Sequence, residues 1–219
     1  RSFVAAGVDV CFANPGTSEM HLVQAIDAVP EMRGVLALFE GVCTGAADGY
    51  GRMTGRPATT ALHLGPGLGN GIANLHNARR AATPIINLVG NHALYHLGLD
   101  APLTSDIDTL AKNVSSWIKS DSTAESLAQD GMQALASSLT ARSGSAGQIS
   151  TMIIPVDACW SPAEGAADMP VVPERTKVDE ALVRKVAESL DPGSLILLDS
   201  DGLSIPARIA ANRIAAKTG

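Results

Sequence analysis

Glu40, His63 and Thr17 are the side chains of this sequence best placed to do chemistry. A carboxylate, an imidazole and a hydroxyl can together move a proton and hold a polar group of a substrate. Each follows an apolar run. Thr17 comes after Val8-Asp-Val-Cys-Phe12, Glu40 closes Gly34-Val-Leu-Ala-Leu-Phe39, and His63 closes Ala58-Thr-Thr-Ala-Leu62. Read as parallel neighbouring strands, these runs deliver all three residues to the carboxyl edge of a sheet, where open α/β sheets bind ligands. A carboxylate buried there needs a partner or a raised pKa. Each residue also has a plainer reading. Glu40 can be an acid at the positive end of the next helix, and a strand-end histidine can be structural. Convergence of three polar groups on one edge favours chemistry.

Other signals are weaker. Gly65-Pro-Gly-Leu-Gly-Asn-Gly71 reads as a glycine-rich turn that follows a strand and opens a helix. No G-x-G-x-x-G register fits it, and no acid lies between Asp48 and Asp100 to hold a ribose. A close-packed βα turn, or one that lets a flat heterocycle approach the backbone, remains. His92 and His96 are spaced i, i+4 but lack a third ligand, so no metal site is expected. His21 and His76 fit exposed helix positions, and Arg79-Arg80 suits a helix C-terminus. Asp199 and Asp201, in Leu198-Asp-Ser-Asp-Gly202, read as a strand-to-helix turn.

The elements that must position these residues alternate. Strands are expected at Val8–Phe12, Gly34–Phe39, Ala58–His63, Pro84–Gly90 and Thr151–Val156, the Gly34–Phe39 strand being buried. Helices are expected from Asn14-Pro-Gly-Thr-Ser-Glu19 through Ile26, over Gly41–Met53, from the glycine turn to Ala82, and near Asp106–Ala111 and Ala124–Ala141. Asn91 to Leu103 reads as a loop. This rhythm predicts an α/β fold: a doubly wound parallel sheet with helices on both faces. The expected domains are 1–158, a linker over 159–177 rich in Pro, Ala and Gly, and a partial second domain over 178–219 with helix, strand (Ser194–Leu198) and helix. The opening Arg1-Ser-Phe-Val-Ala-Ala-Gly7 resembles the last turns of a helix, so the chain is expected to begin inside an element.

Composition narrows the function. A net charge of −6 argues against nonspecific nucleic-acid binding, and no apolar run spans a bilayer. The 46% apolar content with only 3% aromatics indicates a core of Ala, Val, Leu and Ile. Cys11, Cys43 and Cys159 show no CxxC or zinc spacing, which suits reduced thiols and a cytoplasmic protein. Cys11 and Cys43 read as core filler.

Taken together, Phe12-Ala-Asn-Pro-Gly-Thr-Ser-Glu19, Phe39-Glu-Gly41, Ala47-Asp-Gly-Tyr-Gly-Arg-Met-Thr-Gly55, Leu62-His-Leu-Gly-Pro-Gly-Leu-Gly-Asn70, Leu75-His-Asn-Ala-Arg79 and Thr83-Pro84 resemble the pyrimidine-binding domain of thiamine-diphosphate-dependent enzymes. The resemblance runs over about residues 1 to 157, and its flavour is acetolactate-synthase-like and benzoylformate-decarboxylase-like. It implies a cofactor, thiamine diphosphate with Mg²⁺, and a 2-keto acid substrate that is decarboxylated or ligated. It implies that Glu40 hydrogen-bonds N1′ of the aminopyrimidine and favours the imino tautomer that removes the C2 proton. Pro15 and Gly16 match positions lining the cofactor cleft, and Asn70 matches a polar residue near the aminopyrimidine. His63 matches a decarboxylase histidine that assists proton transfer on substrate-derived groups, and Thr17 matches a serine that contacts the substrate carboxylate. Gly65-Pro-Gly67 instead looks like acetolactate synthases. The family's Gly-Asp-Gly and downstream Asn, which hold diphosphate and Mg²⁺, do not occur here, so this chain alone is expected to be inactive. The resemblance further implies a homodimer or homotetramer in which a neighbour's diphosphate domain completes the site. Alternatives are an acetolactate-synthase-type carboligase and a stand-alone, non-catalytic module.

Overall fold

In the computed structural model, residues 1–140, 147–163, 165–172 and 177–219 are described, apart from the side chains of 200 and 201. The strands are β1 (Val10–Asn14), β2 (Arg33–Leu36), β3 (Ala58–Leu62), β4 (Ile85–Asn91), β5 (Trp117–Lys119) and β6 (Ile149–Pro155). They form one sheet in the order β2-β1-β3-β4-β6-β5, and every pairing is parallel. The chain divides into two units, Arg1–Val172 and Pro173–Gly219.

Alternation along β4 shows how both faces of the sheet are buried. Ile85 and Val89 pack into a cluster with Cys43 and Ala47 of α3 (Glu40–Thr54), Leu68, Leu75 and Ala78 of α4 (Leu64–Arg80), and Ile107 and Ala111 of α5 (Ile107–Lys112). Ile86 and Leu88 pack the other way, with Met132 and Leu135 of α6 (Leu127–Leu139), Phe3 of α1 (Ser2–Ala5) and Leu22 of α2 (Met20–Asp27). A parallel sheet needs cover on both faces, and here it has it. The doubly wound expectation holds. Polar side chains of the central strands pair across the sheet: Thr60 Oγ1 donates to Asn87 Oδ1 at 2.8 Å, and Asn87 Nδ2 donates to Thr151 Oγ1 at 3.0 Å.

Four expectations need correction. The run Gly34–Phe39 is not a buried strand. β2 ends at Leu36 on the edge of the sheet, and Leu38 is 92% exposed. An edge strand has one open side, and its apolar content does not reveal that. The strands before Glu40 and His63 are not neighbours, because β1 lies between β2 and β3; both nonetheless end on the same edge. Gly65–Gly71 is not a turn but the first two turns of α4, which starts at Leu64. Its glycines cost helix propensity, but they let α4 approach its neighbours closely. At Gly71 a side chain would press on Thr44 of α3. Finally, Ser194–Leu198 forms no strand, since no partner strand lies in its unit among the described residues.

The second unit, taken alone, holds α8 (Glu180–Glu188), a short 3-10 turn, and α9 (Ile205–Thr218). Asp179 caps α8, its carboxylate accepting from Ala181 N at 2.9 Å. Within the expected linker, residues 164 and 173–176 lie outside the described residues, as does the Asp201 side chain. β5 is an element that the sequence reading lacks, and α7 (Val156–Trp160) follows β6.

Candidate functional site

The carboxyl edge of β1, β2 and β3 leads into three segments: the turn Pro15–Glu19, the start of α3 and the start of α4. Glu40 is the first residue of α3 and is only 7% exposed. Its Oε2 accepts a hydrogen bond from Asn70 Nδ2 of α4 at 2.9 Å. Oε1 has no hydrogen-bond partner among the described residues and lies against Gly67, where a Cβ would come within 3.1 Å of it. One turn along α4, Asn74 Nδ2 donates to Gly41 O at 2.7 Å. Thr44 Oγ1, fully buried, donates toward Gly71 O at 3.1 Å and toward Glu40 O at 3.2 Å. α4 thus clasps the first turn of α3 and aims the Glu40 carboxyl. Glu40 is both an acid at a helix N-terminus and a buried carboxylate with a partner, so the plain and functional readings describe the same geometry.

His63 is the N-cap of α4, with its side chain 23% exposed. Its Nδ1 lies 2.8 Å from Glu19 Oε2. Glu19 is 2% exposed, and the same oxygen accepts from Gly16 N at 2.7 Å. A Cβ at Gly16 would overlap the His63 ring, so glycine there lets the imidazole lie on the turn. Leu64, directly after His63, has φ +54, a conformation uncommon outside glycine, as the chain turns from β3 into α4. The backbone links the two acid sites: Gly67 N donates to His63 O at 2.8 Å while Gly67 abuts Glu40.

The structure therefore pairs Glu40 with Asn70, and His63 with the Gly16 turn. Thr17 is exposed in the 3-10 turn Thr17–Glu19, and its hydroxyl makes no hydrogen bond among the described residues. Pro15 is half-buried in the same turn. The residue that sequence reading leaves without a role is Glu19. Its signal is the acid three residues after Gly16, half of a capping box. Nothing local announces that it also holds a histidine 44 residues away.

The remaining candidates stay apart. His92 and His96 lie with ring centroids 5.7 Å apart, and no group of three or more potential metal ligands occurs among the described residues. His21 and His76 are exposed on α2 and α4. Cys43 and Cys11 are buried, and burial pushes each thiol up to about 11, with the Glu40 charge adding to the effect at Cys43. Neither is a nucleophile at neutral pH.

Residues 1–114 match the model of the thiamine pyrophosphate enzyme N-terminal TPP-binding domain. The chain belongs to the thiamine pyrophosphate enzyme family. A Mycobacterium tuberculosis protein described as a candidate acetolactate synthase large subunit, IlvX, is 54% identical over 220 residues, covering 100% of this chain and 42% of that protein. Benzoylformate decarboxylase of Pseudomonas aeruginosa is 34% identical over 112 residues, 51% of this chain and 21% of that enzyme. The X-ray structure of a candidate thiamin diphosphate-dependent enzyme from Mycobacterium smegmatis superposes with a TM-score of 0.76 at 29% identity, covering 85% of this chain and 35% of that one. The chain thus spans less than half the length of these thiamine pyrophosphate relatives. The six-stranded parallel sheet flanked by helices is the fold of that family's domains. No helix among the described residues is long and apolar enough to cross a membrane.

Proposed function

We propose that this chain is the pyrimidine-binding part of a thiamine-diphosphate-dependent enzyme that decarboxylates or ligates 2-keto acids, with Glu40 activating the cofactor. The observation that carries the reading is the Glu40 carboxyl: buried, held on one oxygen by Asn70, and open on the other beside Gly67. A carboxyl group with one free oxygen in a water-poor recess suits a hydrogen bond to a ring nitrogen such as N1′. Pro15 and Gly16 would line the cleft, and Asn70 would hold Glu40 in place beside the ring. The bound cofactor supplies the electron sink that takes up the pair released as carbon dioxide leaves.

The chain's own residues do the rest. Glu40 shares a proton with the pyrimidine nitrogen. His63, at the same edge, exchanges a proton with the substrate-derived group. Thr17, exposed with an unengaged hydroxyl, contacts the substrate carboxylate. The diphosphate and Mg²⁺ would be held by a diphosphate-binding domain beyond this sequence, contributed by a neighbouring subunit of a dimer or tetramer. The domain boundaries of the reading are a pyrimidine-binding domain over 1–158, a linker over 159–177, and the opening of a central domain after it. A cytoplasmic location goes with the reduced cysteines.

Two reactions compete. His63 at the strand end and the benzoylformate decarboxylase relative favour decarboxylation. The Gly65-Pro-Gly67 stretch and the 54% identity to the IlvX protein favour acetolactate-type ligation. The full-length enzyme, given thiamine diphosphate and Mg²⁺, is expected to release carbon dioxide from a 2-keto acid. From pyruvate, acetaldehyde would mark a decarboxylase and acetolactate a ligase. Cofactor-independent behaviour, or no carbon dioxide from a panel of aliphatic and aromatic 2-keto acids, would contradict the reading and return the stand-alone module.

A further inference from the structure

We propose that Glu19 is a positioning residue for His63: its carboxylate fixes the imidazole as the Nδ1–H tautomer and leaves Nε2 to face the substrate. The proposal rests on the reading of His63 given above.

Glu19 is a 2% exposed acid, and a charge at that depth must be paired or hydrogen-bonded. Oε2 gathers both of its donors, Gly16 N at 2.7 Å and His63 Nδ1 at 2.8 Å. An ionised carboxylate only accepts, so Nδ1 carries the hydrogen, and in the neutral ring the lone pair is on Nε2. Nε2 makes no hydrogen bond among the described residues. It is the ring atom free to give or take a proton.

Packing fixes the pair from two further sides. The ring lies on Gly16, where a Cβ would overlap Cε1, Nδ1 and Cγ. The carboxylate lies over Gly90 of β4, where a Cβ would overlap Oε1, an oxygen with no hydrogen-bond partner among the described residues. The pair therefore depends on three separate segments: the turn after β1, the end of β3, and β4. A capping acid alone would need only the Gly16 bond and would function on the surface. Burial of Glu19, and a glycine cleared for it on β4, point to a demand that the cap does not make. That demand is a single orientation and a single tautomer for His63, the task that a buried acid performs for a histidine base.

The test uses the full-length holoenzyme with Glu19→Gln, His63→Ala and the double variant. Glu19→Gln is expected to lower kcat about 100-fold, no more than loss of the proton-transfer group itself, with cofactor affinity within about twofold. In the double variant kcat is expected to fall within about twofold of His63→Ala, because Glu19 acts through the ring that is already gone. Nitrogen-15 NMR of histidine-labelled, unsubstituted apo-enzyme reads the tautomer without any substitution in the measured protein. The His63 signal, assigned by its loss in His63→Ala, is expected to be Nδ1–H. Single effects that multiply in the double variant, or an Nε2–H tautomer, would overturn the proposal. Unchanged turnover in His63→Ala would instead overturn the chemical role of His63 and the positioning role with it, a result distinct from multiplying effects.

Discussion

Gly67→Ala is the perturbation that presses most directly on the Glu40 carboxyl. The added Cβ would lie 3.1 Å from Glu40 Oε1 and 3.3 Å from the Leu62 carbonyl carbon. Against an unstrained contact of about 3.5 Å, these are short by about 0.4 and 0.2 Å. Leu62 cannot yield, because its backbone is the end of β3, paired with β1 and β4. The carboxylate yields instead. Moving it by about 0.4 Å can stretch the Asn70 bond past the usual limit of about 3.2 Å. A misplacement of 1 Å costs catalysis about 100-fold, so a shift of this size is expected to lower kcat roughly five- to tenfold, about 1 kcal/mol in the barrier. Stability should fall by about 0–2.5 kcal/mol, the balance of two opposed terms. Replacing a helical glycine gains about 0.5–1 kcal/mol, against about 1–3 kcal/mol for overpacking. Steady-state kinetics, cofactor titration and thermal melting of the full-length enzyme separate these effects. A variant with wild-type turnover would refute the argument that Gly67 sets the position of Glu40.

Other expectations follow from the same geometry. Gly90→Ala forces a methyl group into the Glu19 carboxylate and should cost about 1–3 kcal/mol in chemical denaturation; an unchanged midpoint would contradict the packing of Glu19 on β4. Cys43 and Cys11, with thiols near 11, carry only about 0.1% thiolate at pH 8. Both should resist thiol reagents in the native protein and react on unfolding. Rapid labelling of either cysteine in the native state would show that the core is not closed around them.

The parallel sheet and its chemical edge were legible because β1, β3 and β4 are short apolar runs, and the runs of β1 and β3 end in polar residues that open helical segments. Position within the sheet was not legible. Nothing in Gly34–Phe39 says that β2 is an edge strand, because sheet order is decided by crossovers rather than by the strand's own residues. The glycines of α4 read as a turn because propensity counts their cost and cannot count the contacts with Thr44 and Glu40 that require them. β5, only three residues long, carries too little pattern to be seen. Glu40, His63 and Asn70 were found as candidates from strand ends and from the family resemblance. The sequence does not single out Glu19, because a capping glutamate explains itself locally while its second partner is distant in sequence.

Turnover of the full-length Glu40→Gln enzyme, measured together with cofactor affinity, tests the central claim most directly. The amide fills the same space and can still accept from Asn70, but it has no carboxyl proton to share with a ring nitrogen. A fall in kcat of about 100-fold or more is expected, with the fold intact and the cofactor still bound. Near-normal turnover would contradict it.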